Sequence, residues 1–244
     1  MRRMFDWALP LGCLLALVAA CFGSVLVGGE QFAFRDSAHY YYPLYQQVQA
    51  EWDAGRVPLW STQENGGMPL LGNPTAAVLY PGKVIYAAFA YPWAARLYVI
   101  AHVLLAFAGM LALMRSWDVG RTGSTLSALS FAFGVPVLFQ YCNIIFLVGA
   151  AWMPLGFRAV DRWLRLGRRL GQIELAVVLA MQVLGGDPQV AYLTGLCAGG
   201  YAIGLSRSRG RSDRALPEPS RRGLWVALVV GVVAWATGRC SESP

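Results

Sequence analysis

The sequence predicts an all-α protein, a polytopic bundle of about six to seven transmembrane helices with a long extracytoplasmic first loop carrying interfacial helices. Three observations carry this. Hydrophobic residues make up 57% of the 244 residues and charged ones only 14%, against about 25% charged in an average soluble domain. Apolar runs recur along the chain, and the first of them, 8–28, has the ~20 residues that a bilayer requires of a helix. The basic excess, +7 overall, lies between those runs, almost wholly as arginine; Lys83 is the lone lysine.

The first run, 8–28, follows Met1-Arg2-Arg3-Met4. It is longer than the about 7–15 apolar residues of a signal peptide and reads as an uncleaved first helix. The segment 29–96 then leads to a second span at 97–114, with an apolar stretch at 84–93 set at the interface before it. Segments 125–139 and 144–157 form a third and fourth span, 173–184 and 190–205 a fifth and sixth, and 224–238 a seventh. Several are short. The pairs 125–157 and 173–205 read equally as two spans or as one re-entrant hairpin, and both readings return the chain to the same side.

Charge sets the sidedness. Segments 115–124 and 158–172 hold Arg115, Arg121, Arg158, Arg162, Arg165, Arg168 and Arg169, and 206–223 is a basic loop without apolar periodicity. The alternate segments 29–96, 140–143 and 185–189 hold only Arg35, Arg56, Lys83 and Arg96. Arginine-rich loops stay in the cytoplasm, so the N-terminus is placed inside and 29–96 outside. The whole chain, 1–244, reads as one transmembrane domain with no internal repeat.

Composition and motifs exclude several classes. The arginines form no single basic face, which argues against nucleic acid. Cys13, Cys21, Cys142, Cys197 and Cys240 match no zinc or redox spacing and read as small apolar fillers. There is no P-loop, dinucleotide fingerprint, zinc-protease helix or serine-hydrolase elbow.

Polar residues collect on the outer side. Tyr41, Leu44, Tyr45, Val48 and Trp52 fall on one helical face, with Gln46, Gln47, Gln49, Glu51 and Asp53 largely off it. This predicts an amphipathic helix lying on the membrane interface. Asp36 or Ser37 then sits near its N-terminus, where Asp36 is either a helix cap or a chemical group. His39, one turn on, is either structural or shares a proton or a metal with Asp36. His102 falls inside a span and reads as a buried neutral ring. Glu64, Asn65 and Asn73 flank the Gly66-Gly67 turn, a plain turn or a set of N–H groups able to hold phosphate. Gly185-Gly186-Asp187-Pro188-Gln189 has turn chemistry and places Asp187 and Gln189 on the same outer side.

The pattern Asp36, Tyr42-Pro43, Gly55-Arg56-Val57-Pro58-Leu59-Trp60, Asn65-Gly66-Gly67-Met68-Pro69, Asn73-Pro74 and Tyr80-Pro81 resembles the bacterial YfhO-like membrane proteins, which look like glycosyltransferases of the GT-C type. The later Gly-Asp-Pro-Gln at 186–189 is similar to a Gly-x-Pro-Gln stretch of that family. The resemblance is most specific over 34–93. It implies a protein of the bacterial cytoplasmic membrane that takes a sugar from a polyprenyl-phosphate donor at the outer face. An acidic residue of the first loop then serves as catalytic base or metal-linked residue, a role that falls on Asp36. A divalent metal is the one cofactor left open. Arg35, His39, Arg56, Glu64, Asn65, Asn73, Asp187 and Gln189 are the substrate-binding candidates, and Arg35, Arg56 or Lys83 would offset phosphate charge. Family members are longer, so the resemblance makes this chain an N-terminal portion. A non-enzymatic membrane protein that binds a lipid-linked sugar or a partner subunit is the competing reading. A transporter is disfavoured by the lack of charge deep in the spans.

Overall fold

The computed structural model describes residues 2–62 and 66–209. Glu64, Asn65 and the expected seventh span at 224–238 lie outside the described residues, as does most of the basic loop 206–223. The described chain is helical almost throughout, which agrees with the all-α expectation. Its helices are α1 (Arg2–Val27), α2 (Tyr42–Asp53), α3 (Val84–Ala88), α4 (Tyr91–Ser116), α5 (Arg121–Phe133), α6 (Val135–Leu138), α7 (Ile144–Leu164), α8 (Leu170–Leu184) and α9 (Pro188–Arg209). The other regular elements are a π turn over Ser37–Tyr41, short 3-10 turns, and a hairpin pairing β1 (Trp60–Ser61) with β2 (Met68–Pro69).

Two described helices, α4 and α7, are long and apolar enough to cross a membrane, and α5 with Val135–Cys142 makes a third if the pair, bent by 40°, is one span. The break falls at Gly134, two residues before Pro136, which cannot donate to a helical ladder. Leu11–Val27 and α8 are apolar but shorter. α9 has 22 residues, but glycine, serine and arginine dilute its hydropathy.

α4 is the hub. It packs on α5 and α7; α7 in turn carries α8 and α9, and α1 lies on α4 and α5. Contacts at the ends fix the directions. Phe22 near the end of α1 meets Phe133 at the end of α5. At the other end of the bundle Asp161 of α7 accepts from the Trp117 indole after α4 and, at 2.7 Å, from the Tyr201 hydroxyl of α9. Arg162 pairs there with Glu174 of α8. Helices α4, α7 and α9 therefore run one way, and α1, α5 and α8 the other. The arginines of 115–121 and 158–172 gather at the Asp161 end, opposite Asp36.

Residues 29–90 fold as a cap on the first end. The face of α2 expected at the lipid interface is instead buried in protein: Tyr41, Leu44, Tyr45 and Val48 pack with Tyr86, Ala94, Tyr98 and Ile144. The reason is that the start of α4 and the short α3 offer an apolar surface within reach of that stripe, and each ring buried there contributes about 2–3 kcal/mol. Gln49, expected off the face, is buried too, and its amide donates to the Phe89 carbonyl at 2.9 Å. A hydrogen-bonded chain pins the cap to the bundle. The Trp152 indole of α7 donates to the Tyr80 oxygen at 2.9 Å, and the Tyr80 hydroxyl donates to His102 Nε2 at 2.8 Å. His102 Nδ1 donates in turn to the Tyr98 carbonyl at 2.7 Å. These partners assign the tautomer and bear out a buried, satisfied His102.

Lys83 is the chief departure inside the cap. Sequence proximity offered it as a cation for phosphate, but it is only 1% exposed. Its Nζ lies 2.6 Å from the centre of the Tyr45 ring, with Tyr86 and Tyr98 alongside and no hydrogen-bond partner. Two effects oppose each other. The ring faces favour an ammonium by about 2 kcal/mol when desolvated, whereas burying an unpaired ammonium costs several kcal/mol. Burial wins and holds the amine well below the usual lysine range. The unfolded chain binds the proton that the folded chain lacks, so stability rises with pH toward the ordinary lysine range. Wild-type protein should unfold at higher temperature at pH 9 than at pH 7, a window below the range in which tyrosines of the unfolded chain ionise. Lys83→Met should abolish that difference and be more stable at pH 7 by about 1 kcal/mol or more, as read by thermal unfolding in detergent.

Candidate functional site

The Asp36 corner begins with a strained turn. Arg35 adopts a left-handed backbone, φ 53°, which costs a residue with a side chain about 1 kcal/mol. It reverses the chain into the π turn that opens α2. Pro43 lacks the N–H that a regular helix would return to the preceding turn, and the ladder widens so that Tyr42 N–H reaches the Ser37 carbonyl. Ser37 is buried, and its hydroxyl donates to the Tyr141 carbonyl in the 3-10 turn before α7. Phe32 and Phe34 stack on Tyr141 and Phe139 of the same turn. Arg96 of α4 donates to the Gly29 carbonyl and holds the start of the segment.

On this platform Arg35, Asp36, His39 and Tyr40 are all exposed. Asp36 occupies the N-cap position, yet its side chain makes no cap hydrogen bond. Capping, the simpler of its two sequence readings, is not what the carboxylate does here.

Two further stretches close on the corner. The Tyr40 hydroxyl donates to Thr75 Oγ1 at 2.7 Å, and Thr75 Oγ1 donates to Asn73 Oδ1 at 2.6 Å. Asn73 Oδ1 also takes the Thr75 N–H at 3.0 Å and so caps the 3-10 turn Pro74–Ala76. Gly186, at φ +102°, lies directly on this turn: a Cβ there would sit 2.9 Å from the Pro74 carbonyl oxygen and 2.7 Å from Ile145 Cγ2. Asp187 follows, 2% exposed. Its Oδ1 caps α9 by accepting from Val190 N–H at 2.9 Å, while Oδ2 is buried beside Gly149 with no partner. Burial raises the Asp187 carboxyl above the usual range, and the N–H groups of Val190 and Gln189 only partly offset it.

Tyr41 links the two acids. Burial, then the neighbouring Tyr40, then the carboxyls of Asp36 and Asp187 push its hydroxyl well above the usual phenol range. Tyr41 thus stays a neutral phenol with both carboxyls in its electrostatic surroundings. Gln189 is exposed in the first turn of α9.

The contacts bring Tyr40, Asn73, Thr75 and Gly186 together, Asp36 and Asp187 both bear on Tyr41, and Arg35, His39 and Gln189 are exposed next to them along the chain. Arg56 does not join them. It forms a two-point pair with Glu51 at the far end of α2, whose 12 residues span about 18 Å. Ser37, Tyr40, Tyr41 and Thr75 belong to the corner but were not singled out as site residues. The Asn-Pro-Thr triplet at 73–75 is a turn-capping signal that could have flagged Thr75; nothing local marks Ser37. Among the described residues no three His, Cys, Asp or Glu side chains gather as a metal's ligand set.

Asp187 makes its own prediction. Its raised folded-state value means that the stability it supports is complete at acid pH and is lost as pH rises through that value. The unfolding temperature of the wild type, measured relative to Asp187→Asn, which keeps the cap, should fall as pH rises from 4 to 8. Asp187→Ala should lose about 1 kcal/mol at either pH.

No family model matches this chain, and neither a curated protein nor a solved structure matches it.

Proposed function

We propose that this protein is a membrane glycosyltransferase of the GT-C type, resembling the YfhO-like proteins, which transfers a sugar from a polyprenyl-phosphate donor at the outer face of the bacterial cytoplasmic membrane. The observation that carries the reading is the Asp36 carboxylate, exposed and free of any cap bond, on a turn anchored to the end of an apolar bundle. In this reading α1, α4, α5 with α6, α7, α8 and α9 each cross the membrane. The alternating helix directions and the gathering of arginines at the end opposite Asp36 support the N-terminus-inside arrangement.

The chemistry is a single displacement. The Asp36 carboxylate takes the proton from an acceptor hydroxyl as its oxygen bonds to the anomeric carbon. The bond from that carbon to the phosphate oxygen breaks, and polyprenyl phosphate leaves with the electron pair. Arg35, one residue away, offsets the leaving charge. Asn73 and Gln189 offer amide groups for sugar hydroxyls.

The test is release of free polyprenyl phosphate from polyprenyl-linked sugars by proteoliposomes carrying the chain. Release with sugar appearing on an acceptor supports the transferase. Tight donor binding without release supports the non-enzymatic binding protein instead.

A further inference from the structure

The cap has an apolar surface that its own core does not use. Residues 84–93 carry no charged or amide side chain. Tyr86 points inward to the Lys83 cage, and the Tyr91 hydroxyl is taken up by the Tyr42 carbonyl at 2.8 Å. Ile85 packs partly against the same core, and the others face out: Val84 is 65% exposed, Phe89 50% and Trp93 46%, with Ala87, Ala88, Ala90 and Pro92 exposed between them. An apolar run this continuous is not the scattered exposure that ordinary surfaces show.

Trp93 is also held in place. The Arg96 guanidinium lies 4.9 Å from the Trp93 ring centre while it donates to the Gly29 carbonyl. One face of the ring is clamped, and much of the rest is presented outward. A held, exposed tryptophan next to the start of an apolar helix is what the aromatic belt of a membrane protein looks like. The elbow runs without interruption into α4, the described helix of highest hydropathy that is long enough to span, beginning at Tyr91.

We infer that the α3–α4 elbow, presenting Val84, Phe89 and Trp93, is seated in the headgroup–acyl boundary of the bilayer and sets the height of the cap over the membrane. The sequence places both 84–93 and α2 at the interface; the buried face of α2 leaves the elbow to fill that place alone. A lipid surface fits better than a protein partner because the patch runs without a break into an apolar helix long enough to span and carries an exposed tryptophan at that junction. The inference rests on the membrane reading of α4 and not on sugar transfer.

The experiment uses the full chain in phosphatidylethanolamine–phosphatidylglycerol vesicles. A polarity-sensitive fluorophore is attached at Phe89→Cys, and separately at Val84→Cys, in a background free of other cysteines. Asp53→Cys, exposed at the end of α2, serves as the aqueous reference. The expected result is a blue-shifted emission at 84 and 89 that loses intensity with quenchers carried shallow on the lipid chains and not with aqueous iodide. Quenching by iodide to the extent seen at 53 would overturn the inference. Protection from both quenchers at both positions would also overturn it, because protein then covers the patch. Two labelled positions guard against one substitution disturbing the fold, and donor turnover does not enter the readout.

Discussion

Asp36→Asn is expected to lower polyprenyl-phosphate release by about 10²–10⁴-fold, the range that a positioned general base supplies, with the protein still folded. Both halves follow from the corner's geometry. The carboxylate is exposed and makes no cap bond, so its loss breaks no packing. Asparagine is as good at a helix N-terminus as aspartate, and surface changes of this kind stay within about 0.5 kcal/mol. Asparagine keeps the shape and one acceptor but has negligible basicity, so only proton removal is lost. Asp36→Glu retains basicity with a longer reach and should recover part of the activity. A fall in release with an unchanged unfolding temperature would separate chemistry from stability. Unchanged release would remove Asp36 from the reaction.

Gly186→Val should cost about 2–4 kcal/mol and should also impair the site, although residue 186 contacts no substrate in the proposed chemistry. The backbone there has φ +102°, a region that only glycine enters freely. A Cβ would also lie 2.9 Å from the backbone oxygen of Pro74 and 2.7 Å from Ile145 Cγ2. Backbone cannot rotate aside as a side-chain tip can, so the α8–α9 corner must lift off the 73–76 turn. That would move Asp187 and Gln189 away from Tyr41 and from the Tyr40–Thr75–Asn73 chain. Gly186→Ala should act in the same direction with a smaller loss. Thermal unfolding and donor binding, measured on the same preparations, would test this; a variant of native stability and affinity would show that the close approach is dispensable.

The helical class was legible in the sequence, because apolar runs are a local signal, and so was the Gly186-Asp187-Pro188 turn between α8 and α9. The helix ends were less so: the expected span 125–139 runs through the break at Gly134, and α4 begins at Tyr91 and α7 ends at Leu164 where spans 97–114 and 144–157 were expected. The arginine clusters announced which ends meet, and they do gather around Asp161. Partner choice was not legible. The face of Tyr41, Leu44, Tyr45 and Val48 has the same periodicity whether lipid or protein covers it, and only the fold puts Tyr86 and Tyr98 against it. Lys83 shows the same limit, since a lysine near a turn gives no sign that its amine ends among three tyrosine rings. At the site, Asp36 and Asp187 were each visible as outer carboxylates. Their common neighbour Tyr41 was not, because the residues are joined by the return of α8 and α9 to the cap and not by spacing along the chain.

The central claim is that Asp36, Asn73 and Asp187 form one corner on the outer face of the membrane, with the arginine-rich end inside. It is tested most directly by membrane-impermeant maleimide labelling of Arg35→Cys, Gln189→Cys and Arg168→Cys, each in a background free of other cysteines, in right-side-out vesicles. The account predicts that 35 and 189 react in sealed vesicles and that 168 reacts only after the membrane is opened. Labelling of 35 and 189 from opposite sides, or of 168 together with them, would contradict it.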